Sequence, residues 1–231
     1  RRVLFRSGAL DDVVRRHEVL RTRFPERDGV PEQVAIAAED IAEQLDWQIV
    51  DTAAKIEEVV HAGFDLATDL PIRFRLLTVD DDEHVLAVVA HHIALDGESM
   101  PPLIVDLVAA YLARSSGVAP EFVPMPVQFA DFAIWQHEVL GSPEDDASVI
   151  GKQLAYWRSQ LAGVPDVLEL PADRSRPAIA THQGARRETI IPADVARAVR
   201  ELARTCGATE FMVVQAALSV LLARLSATDD I

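Results

Sequence analysis

The sequence predicts a layered α/β (α+β) fold, and three observations carry that prediction. Strand-like and helix-like segments alternate along the chain. Val85-Leu86-Ala87-Val88-Val89-Ala90 is continuously apolar, as suits a central strand buried on both faces. After a polar loop, Met100, Leu103, Ile104, Leu107, Val108, Tyr111 and Leu112 form an apolar stripe at helical spacing. Composition agrees: 231 residues, 49% hydrophobic and 26% charged, fit a globular chain and neither a disordered nor a fibrous one.

In chain order, Ala9 to Arg23 reads as a helix with Leu10, Val13, Val14, His17 and Leu20 on one face, stopped by Pro25. Gln33 to Ala38 reads as a short strand. Thr52 is an N-cap candidate for a helix over Ala53 to Phe64, with Ile56, Val59, Val60 and Phe64 inward. Ile72 to Val79 alternates (Ile72, Phe74, Leu76), and an acidic turn, Asp80-Asp81-Asp82, joins it to a strand over Glu83 to Ala90. Ser99 can cap the following helix, with Pro101 and Pro102 in its first turn. Val127 to Leu140 and Ile150 to Leu161 read as helices. Leu168 to Pro177 is a Pro- and Arg-bearing connector and the expected boundary between two lobes. Arg187 to Ile191 reads as a strand, and Pro192 to Cys206 and Thr209 to Leu225 as helices. Residues 1–7 have no clear period and resemble read-through of a sequencing adapter, so they are expected to be a non-native leader. Ala227 to Ile231 stops where a strand could begin, and a fragment of a longer gene product is expected.

The formal net charge of −15 disfavours nucleic acid and anionic lipid as partners. A single cysteine, Cys206, excludes an internal disulfide and any cysteine-based metal cluster. The apolar stretch Phe211 to Leu222 is broken by Gln215 and Ser219, and no signal-like start is present, so a cytoplasmic protein without a membrane partner is expected.

Chemistry concentrates at Ala90 to Ser99. A buried strand ends in His91 and His92, and neighbouring strand residues point to opposite faces. One imidazole is therefore expected inside and the other in an opening. Zinc is disfavoured because the two rings diverge and no third ligand has suitable spacing. Asp96-Gly97 opens a turn before a long helix, with Gly97 allowing a conformation or approach that a side chain would block. An imidazole beside free N–H groups suits acyl transfer: it can accept a proton or hold an amine while backbone donors stabilise an oxyanion. A part-buried Asp96 needs a partner, such as an arginine. The plain alternatives are a strand-end histidine with a satisfied hydrogen bond, which is adopted for His91, and an ordinary Asp-Gly turn.

His91-His92-Ile93-Ala94-Leu95-Asp96-Gly97 matches the H-H-x-x-x-D-G signature of the nonribosomal peptide synthetase condensation superfamily, with Ser99 two positions on. Arg16 to Phe24 matches a second motif, R-H-E-x-L-R-T-x-F, and Phe129 to Gln136 resembles Y-x-D-F-A-x-W with Phe129 in place of tyrosine. The Tyr156-Trp157 pair and Leu170 to Pro177 also resemble condensation domains.

The resemblance implies a chloramphenicol-acetyltransferase-like sandwich of two lobes. Residues 8–176 would form a nearly complete N-terminal lobe lacking its first segment, and 177–231 the start of the second. It implies amide formation between a carrier-bound donor thioester and the amine of a carrier-bound acceptor. His92 would be central, Asp96 structural through Arg16 or Arg21, and Gly97 close to the oxyanion. Ser99 is a candidate substrate contact, although helix capping explains it equally. His17 is read as a packing residue, and Asp131, Phe132 and Trp135 as fold-stabilising. No cofactor is expected on the domain itself, since the substrates ride on the phosphopantetheine of upstream and downstream carrier domains, with an adenylation domain in the parent chain. With part of the channel absent, this polypeptide alone is expected to be inactive. The alternatives are an epimerisation domain, an ester-forming or coenzyme-A-dependent acyltransferase, and a non-catalytic member that recruits a partner protein. Epimerisation ranks below condensation because Gly97 is followed by Glu98-Ser99-Met100 rather than V-S-W.

Overall fold

The structure, a computed structural model, describes residues 2–80, 83–180 and 184–231. Arg1 of the expected leader and Asp81 and Asp82 of the expected acidic turn lie outside them. The described residues form two compact units, 1–151 and 152–231, divided within a helix.

In the first unit, α1 (Arg2–Arg16) is followed by a 3₁₀ turn (Glu18–Arg21) and four two-residue strands. These are β1 (Thr22–Arg23), β2 (Glu26–Arg27), β3 (Val30–Pro31) and β4 (Val34–Ala35). β1 pairs with β4 and β2 with β3, all antiparallel. Asp28 and Gly29 close the β2–β3 hairpin with φ of 54° and 81°. Two positive φ values in a two-residue turn match the right-handed twist of the strands it joins.

The unit continues with α2 (Ile41–Gln44), β5 (Asp46–Val50), α3 (Ala54–His61), β6 (Ile72–Thr78) and β7 (His84–Ala90). β6 is the centre of a three-stranded sheet, parallel to β5 and antiparallel to β7. α4 (Met100–Ser115) and α5 (Phe129–Leu140) follow, and α6 (Val149–Gln160) runs across the division.

The core lies between α1, α4 and the sheet. Leu10, Val13, Val14 and Leu20 are buried, as the helical stripe of α1 predicts. Ile72, Phe74 and Leu76 of β6 join them, together with Leu103 and Ala110 of α4. Phe74 is 1% exposed, and burying such a side chain contributes about 1.5–3 kcal/mol. The opposite face of β6 carries Arg73 and Arg75, and Arg75 is held bidentately by Asp46 at 2.8 and 3.0 Å.

Several expectations change. The first helix ends at Arg16 rather than Arg23, because His17 is extended (φ −96°, ψ 99°). The backbone of Arg2 to Ser7 is helical and continuous with α1. Thr52 does not cap α3, whose N-cap is Ala53, and Val60 is exposed. β7 is an edge strand among the described residues, and its apolar run is half-buried rather than buried on both faces. Only part of the α4 stripe faces the core: Ile104, Val108 and Leu112 are exposed.

In the second unit, α7 (Ala193–Thr205) and α8 (Glu210–Ser226) meet at 106°. Thr209 caps α8 by accepting from Met212 N at 3.2 Å. Arg187 to Ile191 is irregular, not a strand, and no described residue pairs with it. Among the described residues, no single helix is long and apolar enough to cross a membrane.

Candidate active site

β7 delivers the chain to the site. His91 N donates to Pro71 O at 2.9 Å, and a turn then begins, closed by Ala94 N to His91 O at 3.0 Å. The turn separates the two imidazoles. The His91 ring is half-buried: its Nδ1 accepts from Ile93 N at 3.0 Å, and Phe64 meets it edge-on at 6.0 Å. A ring nitrogen that accepts must lack a proton, so the neutral ring carries its proton on Nε2. His92 is exposed and makes no hydrogen bond with the described residues. One ring is half-buried and the other exposed, as expected, but both residues lie past the end of β7 at Ala90, so the turn rather than strand alternation divides them.

The loop after the turn closes on itself. Asp96 Oδ1 accepts from Ser99 N at 2.9 Å and from Ser99 Oγ at 2.6 Å, while Ser99 Oγ accepts from Asp96 N at 3.2 Å. Ser99 therefore ties the loop rather than capping α4 with its side chain. The Ser99 hydroxyl, and next its N–H, hold the Asp96 carboxyl below its ordinary value. Gly97 has no atom within 4 Å of where a Cβ would stand and no positive φ, so this chain itself imposes no need for glycine there.

Among the described residues, the expected Asp96–arginine pair is not formed. Arg16 Nε donates to Asp106 Oδ2 at 2.7 Å, its guanidinium also reaches Val123 O at 2.6 Å, and it lies 4.7 Å from the Phe122 ring centroid. Arg21 pairs with Glu18 and donates to Ile36 O. Asp96 is exposed and satisfied locally, so it gains little from a distant cation. His17, expected to be a packing residue, instead bonds through Nε2 to Asp106 Oδ2 at 2.7 Å. It also lines a cavity of about 170 Å³ beneath the loop, with Val19, Leu20, Ala94, Leu95, Ser99, Pro102 and Leu103.

Asp106 is the residue that sequence reasoning missed. The available signal was a carboxylate three residues after Leu103 and four before Ala110, on the buried face of α4. Gln128 was missed as well. Its side-chain N–H donates to Arg16 O at 3.0 Å, and its side-chain oxygen accepts from Glu18 N at 3.2 Å. It also begins α5 through a reciprocal cap with Asp131. Phe132 and Trp135 stack at 5.7 Å on an exposed part of α5. No described cluster of His, Cys, Asp and Glu could hold a metal.

An imidazole that stands open, with the rest of its loop bonded inward, can orient an amine or take a proton. No carboxylate is bonded to the His92 ring, so the site lacks the acid–histidine pair of a hydrolytic triad among the described residues.

The Condensation domain family model matches residues 5–231. The isonitrile lipopeptide synthase of Mycobacterium tuberculosis is 48% identical over 97% of this chain and 9% of its own length. The dimodular nonribosomal peptide synthase of Bacillus subtilis is 42% identical over 97% of this chain and 10% of its own. The X-domain from teicoplanin biosynthesis superposes with a TM-score of 0.88 alone and 0.86 in complex with OxyB. It is 37% identical over 97% of this chain and 50% of that one. This chain thus spans about a tenth of these two synthases and half of the X-domain. With a matching fold, of the chloramphenicol-acetyltransferase-like kind, and a matching family model over nearly its whole length, the chain belongs to the condensation-domain family of nonribosomal peptide synthetases.

Proposed function

We propose that this chain carries the histidine loop of an amide-forming condensation domain. The observation that carries the reading is the His92 ring, exposed and unbonded just past the end of β7, in a loop closed by the His91–Ile93 and Asp96–Ser99 bonds. The donor acyl group arrives as a thioester on the phosphopantetheine of an upstream carrier domain. The acceptor is an aminoacyl group on a downstream carrier, loaded by an adenylation domain. The acceptor amine attacks the thioester carbonyl and a C–N bond forms. The intermediate then collapses with cleavage of the C–S bond. The proton leaving the nitrogen ends on the pantetheine sulfur, through His92 as base or with His92 only holding the amine. The Gly97 backbone N–H, unobstructed by a side chain, stands for the oxyanion donor. The domain itself needs no cofactor for these steps.

The test uses the full-length synthetase that contains this chain. Donor and acceptor carriers are loaded and amide product is followed for wild type and His92→Ala. Loss of product with intact carrier loading supports the reading, and unchanged turnover overturns it. A second reading, recruitment of a partner protein without catalysis, draws on the likeness to the teicoplanin X-domain seen in complex with OxyB. It is favoured if His92→Ala leaves product formation intact while the exposed helix faces bind a partner protein.

A further inference from the structure

We infer that Phe64 and Arg73 are positioning residues for His92, acting through His91. The inference rests on the reading of His92 as the reacting group. Arg73 lies on the polar face of β6 with its side chain 11% exposed. Its Nη1 donates to Ala62 O at 3.1 Å, and its Nη2 to Gly63 O at 2.8 Å and Asp69 Oδ2 at 2.9 Å. The guanidinium also lies 4.0 Å from the centroid of the Phe64 ring. Arg73 therefore fixes the two carbonyls just before Phe64 and one face of its ring.

Phe64 passes that constraint on. Its ring meets the His91 imidazole at an interplanar angle of 84°. His91 in turn holds Ile93 N through Nδ1 and Ala94 N through its carbonyl. These two bonds define the turn on which His92 is displayed. Rotation of the His91 ring away from Phe64 would release Ile93 N and widen the arc available to His92. Among the described residues, no hydrogen bond or ring contact links Phe64 or Arg73 to His92. Their effect is on where the imidazole stands when the amine arrives, and misplacement of such a group by about 1 Å can cost about a hundredfold in rate.

The experiment uses the full-length synthetase with Phe64→Leu, Phe64→Tyr and Arg73→Gln. Three quantities are read: kcat and KM for amide formation, hydrogen exchange of peptides spanning 91–99 and 10–16, and the melting temperature. Phe64→Leu lowers kcat by about ten- to a hundredfold with KM for loaded carriers unchanged. Exchange rises at 91–99 but not at 10–16. Phe64→Tyr, which keeps the ring, restores both, and Arg73→Gln moves them in the same direction as Phe64→Leu. Full kcat in Phe64→Leu overturns the inference. So does a loss that tracks a falling melting temperature with exchange raised in both peptides. His92→Ala run in parallel separates the levels: if it retains turnover, the catalytic reading and this inference fall together. If it abolishes turnover while Phe64→Leu does not lower it, only this inference falls.

Discussion

Two segments of this molecule match family motifs equally well, and they use their polar groups in opposite ways. Arg16 to Phe24 commits them to other elements. Arg16 and His17 share Asp106 of α4, and Gln128, the N-cap of α5, grips the backbone of Arg16 and Glu18. Arg21 donates to Ile36 O, and Phe24 N to Leu66 O at 2.7 Å. His91 to Ser99 bonds almost wholly within itself and leaves one imidazole open. The first segment ties elements together; under the proposed function, the second presents a reagent. Motif matching alone gives both the same weight; the bonding pattern tells them apart.

The sharpest way to break that contrast is to remove one histidine from each segment. His92→Ala is expected to lower amide formation in the full-length synthetase by about 10²- to 10⁴-fold, the range for a lost acid–base or positioning group, without moving the melting temperature. His17→Ala is expected to do the reverse, with a lower melting temperature and turnover retained in the folded fraction. If both histidines affect rate alone, the scaffold assignment of the first segment is wrong.

Asp106→Ala comes next in size. It strips the shared acceptor from Arg16 and His17, whose side chains are 16% and 20% exposed. A hydrogen bond to a charged group is worth about 1.5–3 kcal/mol, so a loss of about 2 kcal/mol is expected. In a chain of this size each kcal/mol corresponds to roughly 2–4 °C, which a thermal melt resolves. Asp106→Asn, which keeps one acceptor, should recover part of the loss. No change in either variant would mean that α1 and α4 are held by apolar packing and the Asp12–Arg114 ion pair, without help from Asp106.

Legibility in the sequence follows the same line between local and distant partners. The apolar faces of α1 and β6 were readable because burial imposes a period of 3.6 or 2 on the sequence. The split of His91 from His92 was readable in its outcome but not in its cause, since β7 ends at Ala90 and a turn divides the rings. The end of α1 was not. Helical spacing continues to Leu20, but the helix stops at Arg16, where Gln128 takes the free carbonyl from 112 residues away. Asp96 was expected to need an arginine because it was assumed to be part-buried. It is exposed, and Ser99 three residues on satisfies it. The half-buried run on β7 and the exposed residues of α4 have the same origin: an apolar pattern records that a face is covered somewhere, not which segment covers it.

Within the loop, acid sharpens the comparison. The Asp96 carboxyl is held below its ordinary value, so its bonds to Ser99 are complete above the usual carboxylate range. They are lost only as pH falls through that lowered value. Amide exchange at 96–99, corrected for intrinsic rate, should therefore stay flat from neutrality down to about pH 5. In Ser99→Ala the loop should exchange faster at every pH, and the Asp96 titration should move up toward its ordinary position. If wild type already loosens near pH 6, the carboxylate is not what closes the loop.

The smallest expected effect on stability is the most pointed for mechanism. Gly97→Ala introduces a methyl group into open space at a backbone conformation that any residue accepts. Stability should move by no more than about 0.5 kcal/mol. Among the described residues nothing requires glycine at this position, so a cost to turnover would point to a group outside them. If a thioester carbonyl approaches the Gly97 N–H, the added methyl stands in its path. Turnover then falls with an unchanged melting curve, and the loss appears in kcat. If Gly97→Ala keeps full turnover, the oxyanion is held elsewhere, and the loop serves His92 alone.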